Sequence, residues 1–266
     1  MLDFDLIKNR LSRLLPKDRI FTYSITASTN TRAIEYARIG GCCPAVFIAE
    51  EQTGGRGRRG RSFVSNPDAG IYISFLLHTE AAGGVEGATA FAAVALLLSL
   101  PSEVRDRVGI KWVNDIVSRS PKGNGKKLAG ILAEAITENS SIDKIVIGMG
   151  INVYKNAISD EISQIATSIE EVSGNRFARE NIVSDLTEKM LSGMKRDEVL
   201  SAYRKASLTV GRRVTVLPHS EEPYEALATE ILEDYSLLVE KKNGETVRVF
   251  SGEVSTIIKQ EKKDEG

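Results

Sequence analysis

Hydrophobic residues recur at helical spacing in three stretches of the first hundred residues. The first predicted helix ends at Pro16 and has its apolar face at Phe4, Ile7, Leu11, Leu14 and Leu15. A second predicted helix follows residues 28–30 and ends at the glycine pair 40–41, because glycine is common just past a helix end. The alanine- and leucine-rich residues 86–100 predict a third helix that is buried.

The middle of the chain has strand patterns separated by short polar connections. Apolar and β-branched runs predict strands at residues 45–50, 70–77, 109–117, 128–136 and 144–153. The connections between the last three are short, which favours antiparallel neighbours because a parallel pair needs a longer crossover. Three further helical segments are predicted between residues 161 and 207.

The pattern changes near residue 210, where short β-rich runs alternate with turns. Five strands are predicted at residues 213–217, 224–232, 236–240, 246–250 and 254–258. Five short strands in so few residues are typical of a small barrel. The predicted organisation is therefore a domain of residues 1–207, a small β-barrel of residues 208–260 and a charged tail of residues 261–266.

The composition shows no overall charge bias. Lys and Arg number 35 against 36 Asp and Glu, so no net field favours nucleic acid or a membrane. No apolar run reaches the ~20 residues of a membrane span, and Asp3 and Asp5 are unlike the start of a signal peptide. Adjacent Cys42 and Cys43 lack the geometry of a disulfide or a zinc pair, which predicts buried thiols in a cytoplasmic protein.

The arginine loop, residues 54–63, contains four arginines and four glycines between two predicted strands. Glycine lets a backbone approach an anion closely, and guanidinium groups neutralise its charge. The loop has neither the Gly-Lys-Ser/Thr ending of a P-loop nor a Gly-x-Gly-x-x-Gly that opens a helix. It is therefore predicted to hold phosphate or carboxylate groups by a different arrangement.

Four further segments contain candidate chemistry, although each alone has a simpler explanation. They are Ser28-Thr29-Asn30, Lys111-Trp112-Val113-Asn114-Asp115, residues 127–132 (Lys-Leu-Ala-Gly-Ile-Leu) and residues 148–152 (Gly-Met-Gly-Ile-Asn). Ser28 or Thr29 alone would serve as a helix cap. Lys111 and Asp115 alone would form a solvated pair, and the glycines would allow close strand packing.

Together and in this order, the five segments closely resemble the biotin protein ligases, and the resemblance covers about residues 20–260. The family signature is Gly-Arg-Gly-Arg-x-Gly-Arg, Lys-Trp-x-Asn-Asp, Lys-Leu-Ala-Gly-Ile-Leu and Gly-x-Gly-Ile-Asn. The resemblance implies an α/β fold with a mixed, largely antiparallel sheet related to class II aminoacyl-tRNA synthetases. It also implies a small C-terminal SH3-like β-barrel.

The activity implied by the resemblance is a two-step ligation. Biotin and ATP give biotinyl-5′-AMP and pyrophosphate, and the acyl group then passes to one lysine of a biotin carboxyl carrier domain. Magnesium is expected with the ATP, although the sequence has no residue set typical of a protein-held metal. Homodimerisation is expected because it is common among relatives, whereas nucleic acid and membrane partners are not expected.

The resemblance also assigns roles to individual residues. The predicted biotin set is Ser28, Thr29, Asn30, Gln52, Gly55, Arg56, Gly57, Arg58, Lys127, Gly130 and Gly148. The predicted ATP set is Arg56, Arg58, Arg59, Arg61, Lys111, Trp112, Asn114, Lys127 and Asn152. The predicted catalytic residues are Lys127, Arg58 and Asp115.

Three of these predictions leave alternatives open. Trp112 is expected either to pack in the core or to stack near the adenine. Asp115 is expected to orient or deprotonate the acceptor lysine in the transfer step, and the alternative is a structural pair with Lys111. Leu128, Ile131 and Leu132 are expected to form either the apolar wall of the pocket or the core behind it, because strand residues alternate between faces.

The sequence departs from the family pattern at several points. Val113 replaces a proline found in many relatives and is expected to keep a strand-compatible backbone. The stretch at residues 252–257 lacks the arginine that helps some relatives hold ATP. Only about 20 residues precede the second helix region, too few for a DNA-binding module of ~60 residues. A short form of the ligase without a repressor role is therefore expected.

Two competing functions remain at this stage. A lipoate or octanoate ligase shares the adenylation chemistry but usually lacks the complete arginine loop. A nucleic-acid-binding module would use the loop to bind phosphates, but the balanced charge and the 6% aromatic content disfavour it.

Overall fold

The computed structural model describes residues 1–120, 125–138, 141–218, 222–250 and 253–256. The helices are α1 (Phe4–Leu11), α2 (Thr29–Arg38), α3 (Gly84–Ser99), α4 (Ser102–Arg105), α5 (Ile169–Ser173), α6 (Arg179–Ser192) and α7 (Arg196–Ala206). The strands of the first sheet are β1 (Ile20–Thr26), β2 (Ala45–Gln52), β3 (Gly70–His78), β4 (Val108–Lys111), β5 (Asp115–Ser118), β6 (Lys127–Glu138) and β7 (Ser141–Asn152). Those of the second sheet are β8 (Arg213–Leu217), β9 (Tyr224–Ile231), β10 (Leu237–Lys241), β11 (Thr246–Val249) and β12 (Glu253–Thr256).

The first sheet is mixed and largely antiparallel, as predicted. Its strand order is β1-β2-β3-β7-β6-β5-β4. Among the strand pairs described for this sheet, only β1 and β2 run parallel, and helix α2 connects them, as a parallel pair requires. The other neighbours are antiparallel, which confirms the expectation drawn from the short connections.

Alternating side chains give the first sheet two apolar faces. On β2, Val46 and Ile48 join the main core, whereas Phe47 belongs to a smaller core on the opposite face. Ala33 and Ala37 of α2 cover that smaller core. Helix α3 covers the main face and is buried along nearly its whole length, as its alanine- and leucine-rich sequence predicted.

Two expectations for the first sheet were wrong. Residues 109–117 are two antiparallel strands, β4 and β5, separated by residues 112–114, so the strand-compatible backbone expected at Val113 is absent. The peptide between Trp112 and Val113 is cis. Cys42 is exposed and Cys43 is partly buried, because both lie in the connection between α2 and β2, outside the elements that supply the cores. Strand β1 was not predicted, since its residues are mostly half-buried or exposed at the sheet edge.

The second sheet contains the five predicted C-terminal strands, in the order β11-β10-β9-β8-β12. They form an antiparallel meander in which the last strand returns to pair with β8, in agreement with an SH3-like fold. Its apolar residues, including Val214 and Val254, are part of the same buried cluster as the main core. The domain boundary near residue 208 remains a prediction, and residues 257–266, with the end of the last predicted strand and the tail, lie outside the described residues.

No helix among the described residues is long and apolar enough to cross a membrane.

Candidate functional site

Glycines form an open trough on the first sheet. The register places Gly130 of β6 opposite Gly150 of β7, and it pairs Gly148 of β7 with Ser74 of β3. A Cβ at Gly150 would lie 2.5 Å from the Phe63 ring, and one at Gly130 would lie 2.8 Å from Lys127 Nζ. A side chain at either position would therefore displace a neighbour that lines the site, the Phe63 ring or the Lys127 ammonium.

Cavity one lies over this trough and has both polar and apolar walls. Its polar residues come from the start of α2, the end of β2 and the arginine loop, and its apolar residues come mainly from β6 and β7. The lining residues are Ser28, Thr29, Asn30, Gln52, Arg56, Gly57, Arg58, Phe63, Asn114, Lys127, Gly130, Ile131, Leu132, Gly148, Met149 and Gly150. Of the three residues expected to form either the apolar wall or the core, Ile131 and Leu132 line the cavity, whereas Leu128 packs in the core behind it.

A hydrogen-bonded network fixes the polar wall of cavity one. Gln52 Oε1 accepts from the backbone N–H of Thr29 at 2.8 Å and from its hydroxyl at 3.1 Å. Ser74 Oγ lies 2.7 Å from Thr29 Oγ1 and 2.6 Å from Asn30 Oδ1. The Asn30 amide nitrogen donates to Glu134 Oε2 at 2.7 Å. Since Thr29 and Asn30 are each only 3–4% exposed, these bonds hold their polar groups in one orientation.

Ser28 differs from its neighbours in this network. It stands at the N-cap of α2, but its side chain makes no capping hydrogen bond. Within the described part of the chain its hydroxyl has no hydrogen-bond partner, and the residue lines cavity one. The side chains of Ser28 and Thr29 therefore do not cap helix α2, and the Ser28 hydroxyl is free to bind a ligand.

The arginine loop closes one side of the cavity as a short hairpin. The Gly57 N–H donates to Arg61 O at 2.7 Å, and the Phe63 N–H donates to Gly55 O at 2.9 Å. Gly60 has φ +71°, in the left-handed region that favours glycine. Phe63 packs edge-on against Tyr72, with 6.4 Å between the ring centroids. The loop thus has its base fixed on the sheet, and Arg56 and Arg58 lie beside the cavity.

Cavity two adjoins cavity one and is strongly basic. It is lined by Gly57, Arg58, Arg61, Ser62, Phe63, Lys111, Trp112, Asn114, Asp115, Lys127 and Val254. Its lining thus has four cationic side chains and one carboxylate. Arg58, Asn114 and Lys127 line both cavities, so a ligand in one meets a ligand in the other at these residues.

The polar contacts at this junction link the loop to the sheet. Lys127 Nζ lies 2.7 Å from Asp115 Oδ1, and these side chains are 37% and 23% exposed. Arg58 Nη1 donates to Asn114 Oδ1 at 3.3 Å, while the Asn114 amide donates to Ile131 O at 2.9 Å. Asp115 therefore pairs with Lys127, and the alternative of a pair with Lys111 is wrong, although the two residues are opposite in the β4–β5 register.

Tertiary contacts hold the turn at residues 112–114 that presents Asn114 and Asp115. The Trp112 N–H donates to Thr209 Oγ1 at 2.9 Å, and its indole N–H donates to Tyr235 O at 2.9 Å. Tyr203 donates its hydroxyl to Val113 O at 2.9 Å. Burial raises the pKa of Tyr203 well above its usual range, so the hydroxyl keeps its proton and the bond is retained. Trp112 packs in the core, as one of its two alternatives stated, and also borders cavity two.

The backbone of Lys127 is fixed independently of its side chain. Its N–H donates to Ile165 O at 2.8 Å, and its carbonyl accepts from Thr167 N–H at 2.8 Å. Asn152 donates to Thr167 O at 3.1 Å and to Lys127 O at 3.5 Å. Asn152 lines neither cavity, so the contacts place it behind Lys127, and the ATP role predicted for it remains a prediction.

Four other predicted site residues lie away from cavity one or outside the described part of the structure. Gly55 lines neither cavity, and a Cβ there would lie 2.5 Å from Phe63 O, so its contribution is to the base of the loop. Lys111 and Arg61 line only cavity two. The Arg59 side chain lies outside the described residues.

Sequence reasoning missed several residues that complete the site. They are Phe63, Ser65, Ser74, Glu134, Met149, Gly150 and Val254. Ser74 had a visible signal, because it is a lone hydroxyl within the apolar run of β3. Val254 lies in the stretch 252–257, which the sequence linked to ATP binding only through an arginine that this chain lacks. Glu134 had no signal, since its place at the site depends on strand register.

Comparisons with known proteins agree with this geometry. Residues 22–152 match the model of the Biotin/lipoate A/B protein ligase family. The biotin protein ligase from Aquifex aeolicus in complex with biotin and ATP is a structural neighbour, with a TM-score of 0.72 and 24% identity. The alignment covers 90% of this chain and 99% of that one, which shows a shared fold.

Two curated relatives are similar in sequence. The bifunctional ligase/repressor BirA of Bacillus subtilis is 31% identical over 62% of this chain, and the match covers 50% of BirA. The chain thus spans about half the length of the Bacillus relatives it matches. The biotin--[acetyl-CoA-carboxylase] ligase of Mycobacterium tuberculosis is 33% identical, with 86% of this chain and 85% of the relative covered. Because this similarity extends over most of both proteins, the chain belongs to the biotin protein ligase family.

Proposed function

We propose that the chain joins biotin to a lysine of a biotin carboxyl carrier domain through biotinyl-5′-AMP. The observation that carries this proposal is the meeting of two unlike cavities at Arg58, Asn114 and Lys127. Cavity one suits a ligand with a polar ring and an apolar tail. Cavity two suits a polyanion, because its lining is basic.

The first step brings two anions together. A biotin carboxylate oxygen forms a bond to the α-phosphorus of ATP, and the bond from that phosphorus to the pyrophosphate oxygen breaks. Arg58 and Lys127 line both cavities and therefore lie where the carboxylate and the phosphate meet. Their positive charge offsets the repulsion and stabilises the charge that builds up in the transition state.

The polar end of cavity one provides for the ureido ring of biotin. Ser28 offers an unengaged hydroxyl, and its neighbours Thr29 and Gln52 are held by mutual hydrogen bonds. The fixed orientation lets this wall recognise a neutral donor–acceptor group without reorganisation. Ile131 and Leu132 supply apolar surface for the valeryl chain.

The second step transfers the acyl group to the carrier lysine. The lysine amine attacks the adenylate carbonyl, an amide bond forms, and AMP leaves. Only about one lysine in 2,500 is deprotonated at neutral pH, so a nearby base aids the reaction. Among the described residues, Asp115 is the single carboxylate that lines cavity two, and we assign it the task of orienting the amine and accepting its proton.

Magnesium fits this site as an ion bound mainly by ATP. The described residues contain no cluster of three or more His, Cys, Asp or Glu side chains that would hold a metal on their own. Mg²⁺ commonly binds substrate phosphates with one or two carboxylates and keeps several waters. When bound, the ion would offset triphosphate charge.

The proposed partner is a carboxylase carrier domain, as the name of the Mycobacterium tuberculosis relative suggests. We further propose a cytoplasmic location, self-association as a dimer, and no role for nucleic acid or membrane. The balanced charge, with 35 basic and 36 acidic residues, supports the exclusion of nucleic acid.

Pyrophosphate–ATP exchange by the purified protein tests the proposed activity. Biotin, lipoate, octanoate and no acid are compared under otherwise identical conditions. Exchange that requires biotin supports the proposal. Exchange with lipoate or octanoate instead, or no exchange with any acid, contradicts it.

A further inference from the structure

Glu134 occupies a position at the site that no signature motif includes. Its carboxylate oxygen Oε2 accepts from the Asn30 amide at 2.7 Å and from Arg56 Nη2 at 3.2 Å. Asn30 belongs to the polar wall of cavity one, and Arg56 belongs to the arginine loop. One oxygen atom of β6 therefore connects two separate parts of the biotin cavity.

We propose that Glu134 is a positioning residue that holds the arginine loop against cavity one and orients the Asn30 amide. The identity of the ligand rests on the function proposed above. The contacts themselves do not, because they are made within the chain.

The Asn30 half of this arrangement is closely constrained. Glu134 accepts a hydrogen bond from the Asn30 amide nitrogen, and Ser74 donates one to the Asn30 amide oxygen at 2.6 Å. Neither end of the amide can rotate without losing a buried hydrogen bond. The amide also packs against Gly148, where a Cβ would overlap it. Glu134 thus contributes to the shape of the cavity without lining it.

The Arg56 half acts on the loop. Arg56 is 47% exposed and Glu134 is 26% exposed, so solvent weakens this ion pair without abolishing it. The Arg56 contact ties the start of the loop to β6, and the contact of Arg58 with Asn114 ties the middle of the loop to the turn before β5. Loss of the Glu134 charge should therefore release the start of the loop first.

Glu134→Gln separates the two halves, because a glutamine still has an oxygen that accepts from Asn30 but loses the charge that attracts Arg56. Limited trypsin digestion, with fragments identified by mass spectrometry, measures how often the loop opens, since trypsin cleaves after arginine. We expect cleavage after the loop arginines to rise about three- to tenfold without ligand. The KM for biotin in pyrophosphate exchange should rise by a similar factor, with kcat within about twofold of the wild type.

Glu134→Ala also removes the nearer acceptor of the Asn30 amide and leaves it the Leu132 carbonyl at 3.4 Å, so we expect the same loop cleavage and a larger increase in the biotin KM. Glu35→Gln is the matched control, because Glu35 also accepts from an arginine at 3.2 Å, on α2 and away from the loop. It should change neither quantity. A thermal melt of each variant identifies any general loss of stability.

The proposal is overturned if Glu134→Gln digests and binds biotin like the wild type. It is also overturned if cleavage rises at all trypsin sites together with a lower melting temperature, since that would show only a structural role. If biotin fails to support exchange in the wild type, the proposed function fails. The digestion without ligand still decides whether Glu134 holds the loop.

Discussion

Replacement of Asp115 by asparagine should slow acyl transfer far more than adenylation. Asp115 lines only the cavity assigned to ATP, next to the junction where the adenylate would lie. Asparagine keeps the size of the side chain and one acceptor oxygen, but it cannot take a proton from an ammonium group. The substitution therefore tests proton transfer with little change in packing.

The structure sets the expected size of each effect. For adenylation, Asp115→Asn removes the ion pair with Lys127, whose atoms lie 2.7 Å apart at the partly exposed junction. Such a pair is worth about 1 kcal/mol or less, so adenylation should slow by about fivefold at most. For transfer, loss of a positioned general base typically costs about 10²–10⁴-fold.

The two half-reactions are measured separately. Pyrophosphate exchange reports adenylation, and single-turnover mixing of the enzyme-bound adenylate with carrier domain reports transfer. Asp106→Asn is the control, because Asp106 is an exposed aspartate that lines neither of the two cavities, and it should leave both rates unchanged. Equal slowing of both steps by Asp115→Asn would refute the assignment of Asp115 to transfer.

Three further substitutions test other parts of the structure. Arg58→Gly removes a cation that lines both cavities, so adenylate should escape about 10- to 100-fold faster and biotinylate bystander lysines. Adenylate release and biotin blots measure these two effects, and an unchanged release rate would contradict the prediction. Gly148→Ala should weaken biotin binding at least about tenfold, as measured by titration calorimetry, because its Cβ would overlap the held Asn30 amide. Glu50→Gln should lower the free energy of unfolding by about 3–5 kcal/mol at pH 7, because it leaves the buried Arg179 without its buried carboxylate partner and with the exposed Asp68 carboxylate, 3.4 Å away, as a weaker one. Burial alone would raise the pKa of Glu50, but Arg179 and two backbone N–H groups outweigh burial and lower this pKa. In urea denaturation, the stability difference between wild type and Glu50→Gln should therefore persist above about pH 4.5 and disappear as the pH falls below that value.

Local sequence signals predicted much of the fold. The apolar runs of β2, β3, β6 and β7 and the alanine-rich α3 are visible because each element buries most of its own side chains. Strand β1 was missed because it lies at the sheet edge with few buried residues. The break at residues 112–114 was missed because its cause is tertiary: Thr209 and Tyr203 bind the turn from almost a hundred residues away.

For the site, the sequence predicted which residues are present but not which of them pair with each other. The motifs correctly indicated that Lys127, Arg58 and Asn114 come together, since each belongs to a segment with distinctive composition. They did not indicate that Asp115 would form its ion pair with Lys127 instead of Lys111. Both lysines are close to Asp115, one across the β4–β5 hairpin and one near its β6 partner Gly130. Only the absence of a side chain at Gly130 leaves room for the Lys127 ammonium there.

In the proposed reaction, the arrangement of the two cavities lets a few residues have most of the influence on rate. A group that touches only one ligand, such as Ser28 in cavity one or Lys111 in cavity two, binds it about equally before and during reaction. Arg58 and Lys127 touch both cavities, so their attraction is complete only when the carboxylate and the α-phosphate are brought together. Because catalysis requires interactions that strengthen in the transition state, the shared cations should have more influence on the rate of the proposed adenylation than Ser28 or Lys111.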